Sequence, residues 1–103
     1  MDVSLLYFDD CPNWQVADTR LAEALRLSGH SDQQVEYVLV TSDDQAQELH
    51  FVGSPTVRID GEDPFLGDEP RAFGLTCRVY PSASGMDGSP SVDELLVAIT
   101  ARA

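Results

Sequence analysis

The sequence predicts an α/β fold in a single domain spanning residues 1–103, with the element order β-α-β-α-β-β-α and a central four-stranded mixed sheet flanked by helices. Three observations support this prediction. Short apolar runs alternate with stretches of helical periodicity in the first half, turn residues separate strand-like runs in the second half, and an amphipathic stretch follows near the end of the sequence. Parallel strands joined by such helices are expected to cross over right-handedly.

The first half contains two strand-helix pairs. The apolar run Val3–Phe8 predicts a central strand covered on both faces. From Pro12 onward the apolar residues fall at spacings of three and four, which is typical of an amphipathic helix, and Gly29 supplies its stop. The β-rich run Val35–Val40 predicts a second buried strand, and a capping-box pattern opens a short helix over Ser42–His50.

The second half contains two further strands, two loops and a helix. The run Pro55–Asp60 predicts a third strand, which the turn-rich loop Glu62–Gly74 follows. A fourth strand is predicted over Leu75–Tyr80, because alternate residues of this run are apolar. The Ser- and Gly-rich loop Pro81–Pro90 then leads to an amphipathic helix marked by Val92–Ile99, with another capping-box pattern at its start.

The charge of the chain argues against partners that are themselves strongly anionic. Eighteen acidic residues face six basic ones, all of them arginine, and the formal net charge is −12. Such a surface repels nucleic acid and anionic lipid, so no nucleic acid and no membrane are expected as partners. No run approaches the 18 or so apolar residues that span a bilayer, and the beginning of the sequence has no secretory pattern. We therefore expect a cytoplasmic protein, in which two cysteines favour a reactive role over a structural bridge.

Cys11 is the main candidate for chemistry. It lies between the first strand and the first helix, where we expect a surface turn with Cys11 as the N-cap and Pro12 as the first helical residue. Unsatisfied N–H groups and the helix dipole at this place favour a thiolate, which is the nucleophilic form of cysteine. The neighbouring carboxylates of Asp9 and Asp10 oppose that effect.

Two local features and the element order carry a resemblance. Cys11-Pro12 directly follows the first strand, and Ser54-Pro55 directly precedes the third. This arrangement resembles the thioredoxin-like superfamily over nearly the whole chain. The resemblance implies that Ser54-Pro55 is a cis peptide, that Pro55 packs beside Cys11, and that the backbone of Ser54 pairs with an extended thiol substrate. X-Pro bonds are cis in only about 5–6% of folded cases, so this expectation depends on the element order.

A narrower resemblance involves two segments. Val52–Pro64 and Thr76–Tyr80 resemble small Cys-Pro-x-Trp proteins labelled thioredoxin family or alkylmercury-lyase-related. Organomercurial lyases as a family use two cysteines and an aspartate in a larger protein, and the cysteine spacing here gives no residue-by-residue match. Dithiol thioredoxins have a second cysteine where this chain has Trp14. The chain is therefore expected to act as a monothiol, or to use Cys77 as a distant resolving partner.

Trp14 and Cys77 each allow more than one interpretation. Trp14 forms either a stacking wall for a ligand or the first core contact of its helix. Cys77 is a buried structural residue, a partner of Cys11, or a separate reactive site. A bond between the two cysteines requires Cα atoms within about 7 Å.

Three hypotheses about function follow. The first is a monothiol thioredoxin- or glutaredoxin-like protein acting on a thiol or disulfide substrate, small molecule or protein. The alternatives are a non-catalytic binding module of the same fold and a soft-metal or organomercurial-binding protein. No cofactor and no dedicated metal site are expected. The proposed catalytic residue is Cys11, and Cys77 is a possible second thiol. The proposed substrate-positioning residues are Pro12, Trp14, Ser54 and Pro55.

Overall fold

The computed structural model describes residues 1–66, 72–82 and 85–102. Within these ranges the chain forms a mixed α/β structure with three helices, a three-stranded mixed sheet and a two-stranded ribbon. The elements are, in chain order, β1 (Val3–Tyr7), α1 (Asn13–Leu27), β2 (Val35–Leu39), α2 (Asp43–Leu49), β3 (Thr56–Ile59), β4 (Tyr80–Ser82), β5 (Gly85–Asp87) and α3 (Val92–Thr100).

The main sheet has the order β2-β1-β3, with β1 at its centre. Strand β1 pairs in parallel with β2 and antiparallel with β3, so that Leu5 lies between Tyr37 and Val57. The prediction of a mixed sheet with helices on its faces is confirmed, whereas the prediction of a second buried strand is wrong, because β2 lies at the sheet edge with Tyr37 and Leu39 exposed. The sheet positions the end of β1, and with it the start of α1, beside the loop that precedes β3.

The prediction of a fourth strand over Leu75–Tyr80 is wrong. Of this run only Tyr80 lies in a strand, namely β4, which pairs with β5 and not with the main sheet. Cys77 forms an isolated bridge with Ser54 instead. The physical reason is tertiary: a covalent bond and backbone hydrogen bonds hold this run against the loop before β3, as described below.

The two predicted loops of the second half fall partly outside the described residues, which omit 67–71 and 83–84. The expected loop Pro81–Pro90 is corrected in one respect, because 81–82 and 85–87 belong to the β4–β5 ribbon. The ribbon is tied to α1 through Arg20, whose Nη1 donates to Asp87 at 3.1 Å and to Ser89 Oγ at 3.0 Å. The guanidinium of Arg20 also holds the pKa of the Asp87 carboxyl below its usual value.

The core has two parts because successive residues of β1 point to opposite faces of the sheet. On one face, α1 and α3 cover the sheet, and the buried residues of this cluster are Val3, Leu5, Ala17, Leu21, Ala24, Leu25, Val57, Ile59, Leu95 and Ile99. On the other face, α2 contributes to a smaller cluster formed by Leu6, Val40, Ala46 and Phe51. Helices thus flank both faces, and no helix within the described ranges is long and apolar enough to cross a membrane.

The helix starts follow the predicted capping patterns closely. Ser42 is the N-cap of α2 and accepts from the backbone N–H of Gln45 at 3.1 Å. Ser91 and Glu94 form a complete capping box at α3. Helix α1 begins one residue later than predicted, with Pro12 as its N-cap. This shift leaves Cys11 immediately before the cap.

Candidate functional site

The structure joins Cys11 and Cys77 in a disulfide, with their Cα atoms 5.9 Å apart across a sequence separation of 66 residues. This distance lies inside the usual range for a disulfide. Of the three interpretations of Cys77, the one that agrees with the structure is that it pairs with Cys11. Cys77 is solvent-exposed, so the interpretation as a buried structural residue is wrong.

Cys11 is completely buried, with an exposed fraction of 0%. The expectation of a surface turn at this position is therefore wrong. The residue is covered because the bonded Cys77 and the loop before β3 close over it: the Cys11 Sγ lies 3.8 Å from the carbonyl oxygen of Ser54. Its backbone N–H donates to Phe8 O at 3.3 Å, which fixes the turn between β1 and α1.

The positive end of the α1 dipole lies directly after Cys11. The N-cap, Pro12, makes no side-chain hydrogen bond to the helix, and the first turn of α1 contains no acidic residue. The positive end of the dipole of this 15-residue helix is thus not neutralised by its own first turn. Asp9 and Asp10, which oppose the effect, are exposed, so solvent weakens their influence.

The loop before β3 forms the second wall of the site. The Ser54-Pro55 peptide bond is cis, as predicted, and residues 53–56 are all buried. Thr56 Oγ1 donates to Gly53 O at 2.6 Å, and the hydroxyl of Tyr80 donates to Pro55 O. The loop is therefore held from two sides, with Ser54 facing the disulfide.

A third part of the site is residues 74–78, which we call the docked segment. The N–H of Ser54 donates to Thr76 O at 2.7 Å, and Ser54 O accepts from the N–H of Arg78 at 2.9 Å. These two bonds make the parallel bridge between Ser54 and Cys77. Gly74 N–H adds a bond to Phe51 O at 3.1 Å. The chain thus satisfies both backbone groups of Ser54 with its own docked segment.

Gly53 allows the docked segment to approach this closely. Its φ is +133°, and a Cβ at this position would lie 2.9 Å from Arg78 Cβ and 3.2 Å from Thr76 O. A side chain here would meet both an unfavourable backbone conformation and the docked segment. Residue 53 must therefore be glycine for the docked segment to lie this close to the loop before β3.

We expect Gly53→Ala to lower the free energy of unfolding by about 3 kcal/mol, because backbone strain and overlap with the docked segment add. Gly61→Ala is the matched control: its φ of +81° is also unfavourable, but a Cβ there would meet no atom within 4 Å. The control is expected to lose about 1 kcal/mol. Urea unfolding of both variants measures the difference, and equal losses would contradict the close approach of residues 76–78 to Gly53.

Arg78 anchors the docked segment. Its side chain is 2% exposed and pairs with Asp63, which is 6% exposed, at 2.5 Å from Nη1 to Oδ2. The guanidinium also lies 4.5 Å from the centre of the Tyr80 ring. Two buried atoms of this region, Arg78 Nε and Ser54 Oγ, have no hydrogen-bond partner within the described residues. A buried, paired arginine is rare and fixes the position of the residue beside it, Cys77.

The remaining predicted residues lie around this centre. Pro12 is exposed and directly follows Cys11. Trp14 is half-buried, stacks on Tyr7 with ring centroids 4.3 Å apart, and packs against the core beneath α1. These contacts agree with the interpretation of Trp14 as a core residue.

Sequence reasoning missed Gly53 and Asp63, and it named Arg78 only as one of three candidate arginines for a ligand carboxylate, without its burial. The signal in the sequence for Gly53 is its place directly before Ser54-Pro55. Arg78 is a polar residue in a run whose alternate residues are apolar, and this pattern does not indicate that its side chain is buried. Asp63 lies in a turn-rich stretch where aspartate is common. Among the described residues, no group of three or more His, Cys, Asp or Glu side chains is placed to hold a metal ion.

The comparisons with known proteins add nothing to this geometry, since no family model, no curated protein and no solved structure matches the chain.

Proposed function

We propose that the protein carries out thiol–disulfide exchange with Cys11 and Cys77 as its reactive pair. The observation that carries the proposal is the bond between a buried cysteine before the N-terminus of α1 and an exposed cysteine on the docked segment. Cys77 supplies the second thiol that the position of Trp14 lacks. We therefore favour the form of the hypothesis with a distant resolving cysteine over the purely monothiol form.

The fold that we propose for this chemistry is thioredoxin-like. Its support is the β-α-β-α-β order of the first half, with a mixed sheet and helices on both faces, together with a cis-proline loop beside the cysteine. The docked segment takes the place of the fourth strand expected from the sequence. Pro55 and the backbone of Ser54 remain the substrate-positioning groups of this proposal.

In the reduced protein, the Cys11 thiolate attacks one sulfur of a substrate disulfide. A bond forms between Cys11 and that sulfur while the substrate S–S bond breaks, and the other substrate sulfur leaves as a thiolate that takes a proton from water. Cys77, as a thiolate, then attacks the Cys11 sulfur and releases the second substrate thiol. The substrate disulfide is reduced to two thiols, and the two protein thiols are oxidised to the disulfide.

The reverse direction begins at Cys77. Because Cys11 has no exposed surface and Cys77 is an exposed residue, we expect an incoming thiolate to attack the sulfur of Cys77. Attack there forms a mixed disulfide with Cys77 and expels Cys11 as a thiolate at the start of α1. A sulfur stabilised by a helix N-terminus is a good leaving group, so this geometry favours reduction by exposed thiols.

The test is a comparison of two single variants in the reduced state. We expect Cys77→Ser to react with glutathione disulfide at Cys11 and to accumulate the mixed disulfide, because the resolving thiol is missing. We expect Cys11→Ser to react at least tenfold more slowly than the native chain, since the activated thiol is missing (about 1.4 kcal/mol in the barrier). Mass spectrometry of acid-quenched samples identifies the adduct and its position.

Two results would contradict the proposal. The first concerns iodoacetamide labelling of Cys11 at different pH values. If the labelling rate has its inflection at the ordinary cysteine pKa of about 8.5 or higher, the thiol is not activated. The second is a Cys11–Cys77 bond that an excess of dithiothreitol does not reduce in the folded protein. Either result would leave the disulfide as a structural bridge.

A further inference from the structure

The docked segment has the features of a bound ligand that happens to belong to the same chain. It forms an isolated parallel bridge, outside the main sheet and outside the β4–β5 ribbon. It contacts the loop before β3 through backbone hydrogen bonds at Ser54, and its cysteine is covalently bonded to Cys11. Backbone pairing of this kind does not depend on the identity of the side chains.

Besides the bonded Cys77, two side chains of the docked segment contact the rest of the protein: Leu75 packs against the smaller core cluster, and Arg78 makes polar contacts. Arg78 lies in a pocket formed by the Asp63 carboxylate, the Thr56 hydroxyl at 3.4 Å and the ring of Tyr80. Thr76 and Cys77, in contrast, are exposed. Among residues 76–78, the selective position is therefore the residue directly after the cysteine, and its requirement is a guanidinium that can pair with a buried carboxylate.

We propose that Gly53, Ser54 and Asp63 form a docking strip for an extended segment of a partner protein in which arginine directly follows a redox-active cysteine. Residues 76–78 are the internal occupant of this strip. The proposal rests on the proposed function of the Cys11–Cys77 pair and names the substrate class of that pair. The net charge of −12 also favours a basic partner segment.

Reduction determines when the strip can accept a partner. In the oxidised protein the disulfide holds residues 76–78 in place, whereas in the reduced protein non-covalent contacts, among them the backbone hydrogen bonds and the Arg78–Asp63 pair, hold them. A tethered segment still competes with an effective concentration in the millimolar range. A partner segment therefore occupies the strip durably only when its cysteine forms a disulfide with Cys11.

The test uses two activated peptides and a variant in which the internal occupant is weakened. The peptides have the sequences Thr-Cys-Arg-Val and Arg-Cys-Thr-Val, blocked at both ends, with each cysteine present as a 2-thiopyridyl disulfide. They have the same composition and charge, so a general attraction to the acidic protein affects them equally. The Cys11 thiolate attacks the cysteine sulfur, the S–S bond breaks, and thiopyridone is released and measured by absorbance.

In the variant Cys77→Ser, Arg78→Ala, we expect the peptide with arginine after cysteine to react about tenfold faster than the peptide with arginine before it. Adding Asp63→Asn should remove this preference. The single variant Cys77→Ser, which keeps Arg78, should show the same order with a smaller ratio, because its own segment competes. This single-variant measurement decides the question if the double variant does not fold.

Equal rates for the two peptides, in the double variant and in Cys77→Ser, would overturn the docking strip. The neutral reagent 2,2′-dithiodipyridine separates this failure from failure of the proposed function. If Cys11 reacts rapidly with that reagent while the peptides do not differ, the thiol chemistry stands and the arginine selectivity is wrong. If Cys11 is also slow with the reagent, both proposals fail.

Discussion

Reduction of the Cys11–Cys77 disulfide is expected to lower the free energy of unfolding by about 4 kcal/mol. The bond closes a loop with a sequence separation of 66 residues, and the chain-entropy model assigns about this value to a loop of such length. For a chain of this size, the loss corresponds to a fall of roughly 20 °C in the melting temperature. Denaturant unfolding of the oxidised and the dithiothreitol-treated protein measures it.

The matched control for reduction is Cys77→Ala, which lacks the bond but keeps the buried Cys11. Because Cys77 is exposed, its replacement by alanine should not disturb the core. We expect this variant to have the stability of the reduced native protein, with or without dithiothreitol. Coincident unfolding midpoints for the oxidised and reduced native protein would show that the bond does not constrain the unfolded chain as described.

Replacement of Arg78 by methionine is expected to destabilise the protein by about 3–5 kcal/mol, the range for removing one partner of a buried ion pair. The Asp63 side chain is 6% exposed and would remain as a buried carboxylate without its guanidinium. Thermal unfolding at neutral pH in the oxidised state measures the loss while the disulfide is kept intact. The docked segment should also become more accessible to proteolysis.

Two variants define the origin of this loss. Arg78→Met combined with Asp63→Asn removes both charges and keeps an acceptor for the N–H of Phe65, which donates to Asp63 Oδ1 at 2.9 Å. We expect it to regain much of the stability. Arg20→Met breaks an ion pair whose side chains are 30% and 39% exposed, so a loss of less than about 1 kcal/mol is expected. If Arg78→Met is no more harmful than Arg20→Met, the burial of the Arg78–Asp63 pair is not what holds the segment.

Most of the first half of the fold was predictable because local signals and tertiary packing agree there; the exception is the burial of β2, which lies at the sheet edge. The apolar run of β1, the periodicity of α1 and the cap at Ser42 each indicate the element that the structure contains. The cis peptide at Ser54-Pro55 was expected only from the resemblance to a known fold family that the element order carries. Cys11 was recognised for its place between β1 and α1, a property of the sequence alone.

The second half was less predictable because long-range contacts override the local pattern. Alternation of Leu75, Cys77 and Val79 is typical of a strand, yet the bond to Cys11 and the pairing with Ser54 place the run elsewhere. Val79 consequently has 57% of its surface exposed. The burial of Cys11 depends on the same contacts, and no pattern near residue 11 indicates it.

The Cys11–Cys77 bond also makes residues 11–77 a closed covalent ring with one linear tail on each side. The central strand β1 belongs to the first tail, whereas its neighbours β2 and β3 both belong to the ring. The ring therefore cannot form the main sheet by itself, since its two strands meet only through a strand that lies outside it. Helix α3, which covers α1, belongs to the other tail. The main sheet and the packing of α3 on α1 therefore both depend on contacts between the ring and segments outside it.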